Sequence, residues 1–295
     1  MSARYPDWER DGADWPNRSA SSFVSAEGYR WHVQMMGPEV APVSLLLHGT
    51  GAATHSWRDL MPVLAAKYRV IAMDLPGHGF TRPSHRRRVT LPQMAASIGV
   101  LLDVLEVEPD LIVGHSAGAA IGAELLLARG WHAPLVGLNP ALLPFPGLAA
   151  KLFPQLAKIL FTNPLVSIIF ARMARAPGEP ERFLHKATGS VIDRAGNRQY
   201  RLLLTRSGHC DGAIRMMASW RLEPLRDRLH ALKAPVLLIH ATGDTAIPRS
   251  AVRQAADLIP QCEYQEMPGL GHLAHEEQPE QTAQIITAFA DAAKA

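Results

Sequence analysis

Leu111-Ile-Val-Gly-His-Ser-Ala-Gly118 places an aliphatic run directly before a serine that has a glycine two positions away on either side. The spacing G-x-S-x-G is common by chance, so its meaning depends on its flanks. Residues 111–114 read as a buried strand, and the alanine-rich stretch 117–129 reads as a helix. A strand that runs straight into a helix through this pattern must turn sharply at the serine. The strained turn lifts the hydroxyl into the open, and the first N–H groups of the helix point to the same place. Gly114 and Gly118 leave room for that turn, while Ala119 and Gly122 keep the helix slim where it meets its neighbours. Ser116 is therefore the candidate nucleophile, and it needs a base, a carboxylate and oxyanion donors elsewhere in the chain.

Working outward, short apolar runs alternate with amphipathic stretches. Residues 23–34 read as a hairpin around Glu27-Gly28, and 43–49, 69–75, 111–114, 135–139, 236–240 and 263–267 read as strands. VSLLLHG and RVIAMDL are continuously aliphatic, as strands covered on both faces would be. Helical spacing marks 54–67, 91–107, 117–129, 251–259 and 281–293. This alternation predicts an α/β fold with a mostly parallel sheet and helices on both faces. Residues 142–225 break the rhythm: they are helical in character, proline-punctuated and without a long strand-like run. They read as a helical cap inserted over the carboxyl edge of the sheet, with 1–141 and 226–295 forming the core.

Ligands of such sheets bind at the carboxyl ends of the strands, so chemical residues should follow strands. ATGDTAIP (241–248) puts Asp244 in the loop after VLLIH, whereas the preceding strand ends at Asn139 with no acid beside it. After the last strand, MPGLGHLAHEEQPE (267–280) offers His272 and His275. His272 follows Gly271 in a glycine-rich loop and is favoured as the base. His275, beside two glutamates near a helix start, reads as a structural or surface residue. The order Ser116, Asp244, His272 is one of the known chain orders of a Ser–His–Asp set. HGTGAATHSW (48–57) exposes backbone N–H groups, and the Thr50 and Ala117 amides are the expected oxyanion donors. Losing one such donor typically costs about 3 kcal/mol of transition-state stabilisation. His48 reads as a buttress of that loop, Asp74 as a polar loop residue, and His115 as a residue behind or lining the pocket. Met217 and Trp220, with Met216, are candidates to line it from the far end of the cap.

Composition excludes several classes. Of 295 residues, 47% are apolar and 19% charged, which fits a globular chain rather than a disordered one. The net charge of +3 is small for this size, and the run His85-Arg86-Arg87-Arg88 lacks aromatic interleaving, so no nucleic-acid partner is expected. Cys210 and Cys262 have neither disulfide-framework nor zinc spacing, so no metal site is expected. The polar start MSARYPDWERDGADWPNR has no secretory apolar core, and ILFTNPLVSIIFA (159–171) is too short to span a bilayer. A cytoplasmic location is expected.

Taken together, HGTG, DLPGHG, GHSAG, the Gly243-Asp244 loop and GLGH resemble the α/β-hydrolase fold superfamily over the whole chain except the cap. The resemblance implies an eight-stranded core, a Ser–His–Asp triad and no cofactor. Members that act as haloalkane dehalogenases or epoxide hydrolases carry an aspartate at the nucleophile position, and Ser116 argues against both reactions. A narrower resemblance lies in WERDGADWPNR, YRWHVQMMG, LLLHGTGAATHSWRDL and DLPGHGFT. These stretches of the N-terminal third are similar to the magnesium-chelatase accessory proteins of bacteriochlorophyll biosynthesis. That resemblance implies a photosynthetic bacterium, a tetrapyrrole context and association with the chelatase, and it implies no particular reaction.

Three functional expectations follow. The first is an esterase-type serine hydrolase acting on a hydrophobic ester or a tetrapyrrole carboxylate. The second is a non-catalytic tetrapyrrole-binding or chelatase accessory factor on the same scaffold. The third is a cofactor-free C–C hydrolase or perhydrolase. In the cap, Phe153, Leu156, Ile159, Leu160, Phe161, Leu165, Ile168, Ile169 and Phe170 form an apolar surface followed by Arg172, Arg175, Arg182 and Lys186. That surface suits packing on the core, an apolar ligand with carboxylates, or weak contact with a membrane surface.

Overall fold

The computed structural model describes residues 4–83, 89–144 and 164–293. The basic run 85–88 and the cap residues Phe153, Leu156, Ile159, Leu160 and Phe161 lie outside the described residues. The strands are β1 (Ser21–Ala26), β2 (Tyr29–Met36), β3 (Val43–Leu47), β4 (Arg69–Met73), β5 (Arg82–Pro83), β6 (Leu111–His115), β7 (Leu135–Leu138), β8 (Val236–Ala241) and β9 (Cys262–Met267). They form one sheet in the order β1-β2-β4-β3-β6-β7-β8-β9, with the two-residue β5 paired to β2 off that path. The β1–β2 hairpin and the β2–β4 pair are antiparallel, and every pairing from β4 through β9 is parallel. The path is thus eight strands long and mostly parallel, as expected.

The helices are α1 (Trp8–Asp11), α2 (Leu60–Leu64), α3 (Leu91–Val104), α4 (Ala117–Arg129), α5 (Pro164–Met173), α6 (Glu179–Thr188), α7 (Arg194–Leu204), α8 (Ser207–Ser219), α9 (Glu223–Arg226), α10 (Arg249–Asp257), α11 (Ala274–Glu277) and α12 (Pro279–Ala292). Alternate residues of each central strand serve opposite faces. Leu45, Leu47, Ile71, Ile112 and Leu238 pack with α3, α4 and α10, while Leu46, Val70, Val113, Val136 and Leu237 pack with α2 and α12. Both faces are covered, so the strands need aliphatic residues at consecutive positions rather than at every second one.

Two elements differ from their reading in the sequence. Residues 54–67 are not one helix: a 3₁₀ turn at Thr54–Trp57 precedes the short α2. Pro62 explains the break, because a continuous helix would drive its ring into the carbonyl of Arg58 and leave that carbonyl without a donor. Pro62 instead occupies the first turn of a new helix, and the Arg58 carbonyl accepts a hydrogen bond from Asn17 Nδ2 at 3.1 Å. Helix α3 stops at Val104 rather than 107, because Glu106 turns to a φ of 54° and the Val107 N–H folds back to the Leu102 carbonyl.

Between β7 and β8 the described residues are helical (α5 to α9), with no strand among them. Leu165, Ile168 and Ile169 are 57%, 51% and 57% exposed, so much of the apolar side of α5 faces outward. Arg172, Arg175, Arg182 and Lys186 are exposed as well. No helix among the described residues is long and apolar enough to cross a membrane.

Candidate active site

Ser116 stands where β6 passes into α4, with φ 53° and ψ −117°. A side chain reaches this left-handed region at a cost of about 1–3 kcal/mol. The flanking glycines have steric reasons. A Cβ on Gly114 would lie 2.4 Å from the Ala119 nitrogen, and one on Gly118 would lie 1.9 Å from the Leu47 carbonyl oxygen. The turn is held by the Ser116 N–H to the Leu138 carbonyl at 2.9 Å, and by the Ser116 carbonyl accepting from Ala141 N at 3.1 Å.

Asp244 lies in the loop after β8. Its Oδ1 accepts the amides of Ala246 and Ile247 at 2.6 and 3.0 Å. Its Oδ2 accepts the Nδ1–H of His272 at 2.7 Å, and the carboxylate is wholly buried. That contact fixes the His272 tautomer and leaves Nε2 as an acceptor. The His272 backbone is tied from three directions. Its N–H donates to the Thr188 carbonyl at 2.7 Å, and its carbonyl accepts from Asn139 Nδ2 at 2.8 Å and from His115 Nε2 at 2.9 Å. Ser116 Oγ makes no hydrogen bond to His272 Nε2; contacts of this kind often tighten only when substrate is bound.

The rival base is placed differently. His275 is buried with no carboxylate on its ring: its Nε2–H donates to Ser56 Oγ at 2.9 Å, and Ser56 donates to Glu276 at 2.6 Å. Burial, with His272 and Arg58 nearby, lowers its pKa to about 3, so it is neutral at ordinary pH. It is a structural histidine and not a surface one.

Thr50 follows β3 in the loop beside the serine; a Cβ on its neighbour Gly49 would lie 3.0 Å from Ser116 Cβ. Ala117 opens α4, where the first N–H groups have no intrahelical acceptor. Among the described residues neither amide is spent on another acceptor. His48 stiffens this loop: Nδ1–H donates to the Gly49 carbonyl at 2.7 Å, and Nε2 accepts the Leu75 N–H at 2.9 Å. Burial holds it neutral by lowering its pKa. Asp74 accepts the amides of Thr54 and Phe80 at 2.7 Å each and His32 Nδ1–H at 2.8 Å. Burial opposes its ionisation, but His32 and these donors win and hold the carboxyl well below the usual carboxylate range. His115 is pushed well below its ordinary value by burial and by its neighbours His275 and His272. Of the two methionines read as lining the pocket, Met216 reaches the Thr50 loop and Met217 does not. Helix α8 turns Met217 outward, 47% exposed, and buries Met216 against the Thr50 hydroxyl with Sδ at 3.5 Å. Trp220 is half-buried and packs on the main core.

Several positioning residues escaped the sequence. Asn139 directly follows β7 with φ 44° and links Ala241 N to the His272 loop through its two amide atoms. Its only signal was a residue tolerant of left-handed backbone directly after a strand. From the segment between β7 and β8, Ser190 Oγ accepts Leu273 N at 2.8 Å, and Tyr200 donates to Glu276 at 2.7 Å. His209 of α8 bridges the Gly51 carbonyl and the Gly79 amide at 3.1 Å each. Arg58 joins Glu276 to Asp193, tying the two sides together. Among the described residues no group of three or more His, Cys, Asp or Glu is placed to hold a metal ion.

The profile of the alpha/beta hydrolase family matches residues 45–285. The magnesium-chelatase 30 kDa subunit of Rhodobacter capsulatus is 42% identical over 268 residues, covering 90% of this chain and 92% of that protein. Among solved structures, a membrane phospholipase A described as a bacterial virulence factor superposes with a TM-score of 0.76 at 23% identity, covering 93% of this chain and 86% of its own. The naproxen esterase of Bacillus subtilis gives 0.70 at 22% identity, covering 94% and 93%. The two structural likenesses speak to the fold alone.

Proposed function

The chain belongs to the alpha/beta hydrolase family, and from that premise we propose that it is a serine hydrolase of the esterase type. The observation that carries this reading is the His272 Nδ1–Asp244 Oδ2 contact of 2.7 Å, with the carboxylate buried and its other oxygen held by two amides. Such a pair leaves His272 Nε2 to take the proton from Ser116 Oγ as the serine attacks an ester carbonyl. Asp244 stabilises the imidazolium that forms, and the Thr50 and Ala117 amides receive the charge that gathers on the carbonyl oxygen. His272 then returns the proton to the departing alcohol, leaving an acyl group on Ser116. A water that gives its proton to Nε2 attacks that acyl carbon, and the acid leaves as Ser116 recovers its hydrogen. In this reading residues 142–225 act as a cap on the core formed by 1–141 and 226–295. Thr188 and Ser190 from the cap support its role in holding the base loop.

Similarity to the magnesium-chelatase subunit supports a tetrapyrrole setting, with a hydrophobic ester or tetrapyrrole carboxylate as substrate and the chelatase as partner. It also favours the second reading, a non-catalytic accessory factor, since that relative is named as a subunit. Complementation of a deletion strain separates the two. With catalysis, Ser116→Ala fails to restore pigment synthesis although the variant folds and accumulates normally. Full complementation by Ser116→Ala contradicts the hydrolase reading and supports the scaffold.

A further inference from the structure

A groove that shares no lining residue with the loops of Ser116, Asp244 and His272 gathers four guanidinium groups. It runs between the end of α5 and the outer side of α7, with a volume of about 420 Å³, and Arg175, Arg198, Arg201 and Arg206 surround Ala174 and Leu202. Packing of α7 does not require Arg198 and Arg201, because the helix buries its other side through Gly196, Tyr200, Leu203 and Leu204. Neutralisation within the chain is incomplete. Glu181 engages Arg201 through Nε and Nη2 at 3.2 and 2.7 Å, and Asp11 engages Arg206 Nη2 at 2.9 Å while also holding Arg10. The Arg206 Nε is buried with no hydrogen-bond partner, and the Arg198 side chain has no partner among the described residues.

A guanidinium N–H without an acceptor gains from one that a ligand supplies, and the exposed Arg198 offers such donors to the groove. Planar guanidinium forks match carboxylate and phosphate groups two bonds at a time. The volume falls in the range of roughly 300–1,000 Å³ typical of small-molecule sites, larger than a single inorganic anion needs. Ala174 and Leu202 offer apolar contact for the remainder of such a ligand.

We propose that this groove binds an amphipathic organic anion bearing two or more carboxylate or phosphate groups. The same chemistry is available from a free metabolite and from an anionic lipid head group. Met173, 67% exposed, and Ile169, 57% exposed, stand on the adjoining α5, where either source could meet them.

The test uses the full chain at low ionic strength. Biphenyl-4,4′-dicarboxylate serves as the free dianion in calorimetric titration, and phosphatidylglycerol against phosphatidylcholine vesicles serve as the lipid arm in co-sedimentation. Arg198→Glu is the main variant, since an exposed helical site tolerates it. Arg206→Lys is the second; it keeps the charge beside Asp11 and removes the Nε–H. Saturable 1:1 binding of the dicarboxylate that weakens about tenfold or more in Arg198→Glu assigns the free source. Selective phosphatidylglycerol binding lost in Arg198→Glu assigns the lipid source. Weaker binding by Arg206→Lys supports a bond to Nε in either arm. Absence of binding in both arms, or binding that Arg198→Glu leaves intact, overturns the proposal. Ser116→Ala should bind as the unsubstituted protein does, which keeps this result separate from the hydrolase reading.

Discussion

Two Asp–His pairs of nearly equal length sit in this molecule, and each has a serine in its neighbourhood. His272 meets Asp244 at 2.7 Å and is tied through its carbonyl to His115, the residue before Ser116, while His32 meets Asp74 at 2.8 Å with Ser21 Oγ 3.1 Å from the far nitrogen of the ring. By distance alone the second is the more complete relay, because its serine is already hydrogen-bonded. The surroundings separate them. His32 is sealed by Trp8, Trp15, Phe23 and Phe80, with ring centroids 4.8, 6.4, 5.4 and 5.4 Å away. Ser21 opens an antiparallel edge strand in ordinary extended backbone and also accepts from Gln34 at 3.1 Å. No helix N-terminus or strained turn presents it to a reacting carbonyl. Ser116 has both, with amides on either side. An Asp–His contact is thus as serviceable for fastening a strand to a loop as for catalysis, and the backbone around the serine decides which.

Substitution of Ser116 separates the two pairs most sharply. If the hydrolase reading holds, Ser116→Ala lowers kcat for an activated ester by about 10⁶-fold, the scale seen when such a nucleophile is removed, whereas Ser21→Ala leaves kcat within about twofold. Rates measured on both variants against one ester check this, and equal losses contradict it. Next in size, Asp244→Asn costs about 10⁴-fold in kcat by favouring the wrong His272 tautomer. Near-normal turnover in that variant would remove Asp244 from the mechanism.

Asp74 tests the other pair through stability. Three donors converge on its buried carboxylate, so Asp74→Asn should cost about 2–3 kcal/mol at neutral pH. Its folded pKa is depressed, so this stabilisation is present above the unfolded value of about 4 and is lost as pH falls toward the folded value. Urea unfolding of both proteins at pH 7 and at progressively lower pH should show the gap narrowing in acid. A gap independent of pH would mean that the carboxylate charge contributes nothing.

Much of this was legible because buried parallel strands leave an unmistakable trace. VSLLL and RVIAM are apolar at successive positions, since both faces of the sheet are covered. Ser116 and Asp244 were legible because each follows such a strand, and His272 because it sits in the glycine-rich loop after the last strand. The apolar period through Trp57, Leu60, Met61 and Leu64 reads as one helix, and Pro62 is what breaks it. Thr188, Ser190 and Tyr200 were not legible. Each acts on the His272 loop across roughly eighty residues of intervening chain, and contacts at that separation impose no period and no composition. The reach of Asn139 to His272 is hidden for the same reason, since it depends on the loop conformation at its far end.

The most direct measurement of the central claim is the site of reaction with a fluorophosphonate, mapped by mass spectrometry of the intact and digested protein. One adduct is expected, on the peptide carrying Ser116, lost in Ser116→Ala and retained in Ser21→Ala. An unlabelled folded protein, or an adduct on Ser21, would contradict it.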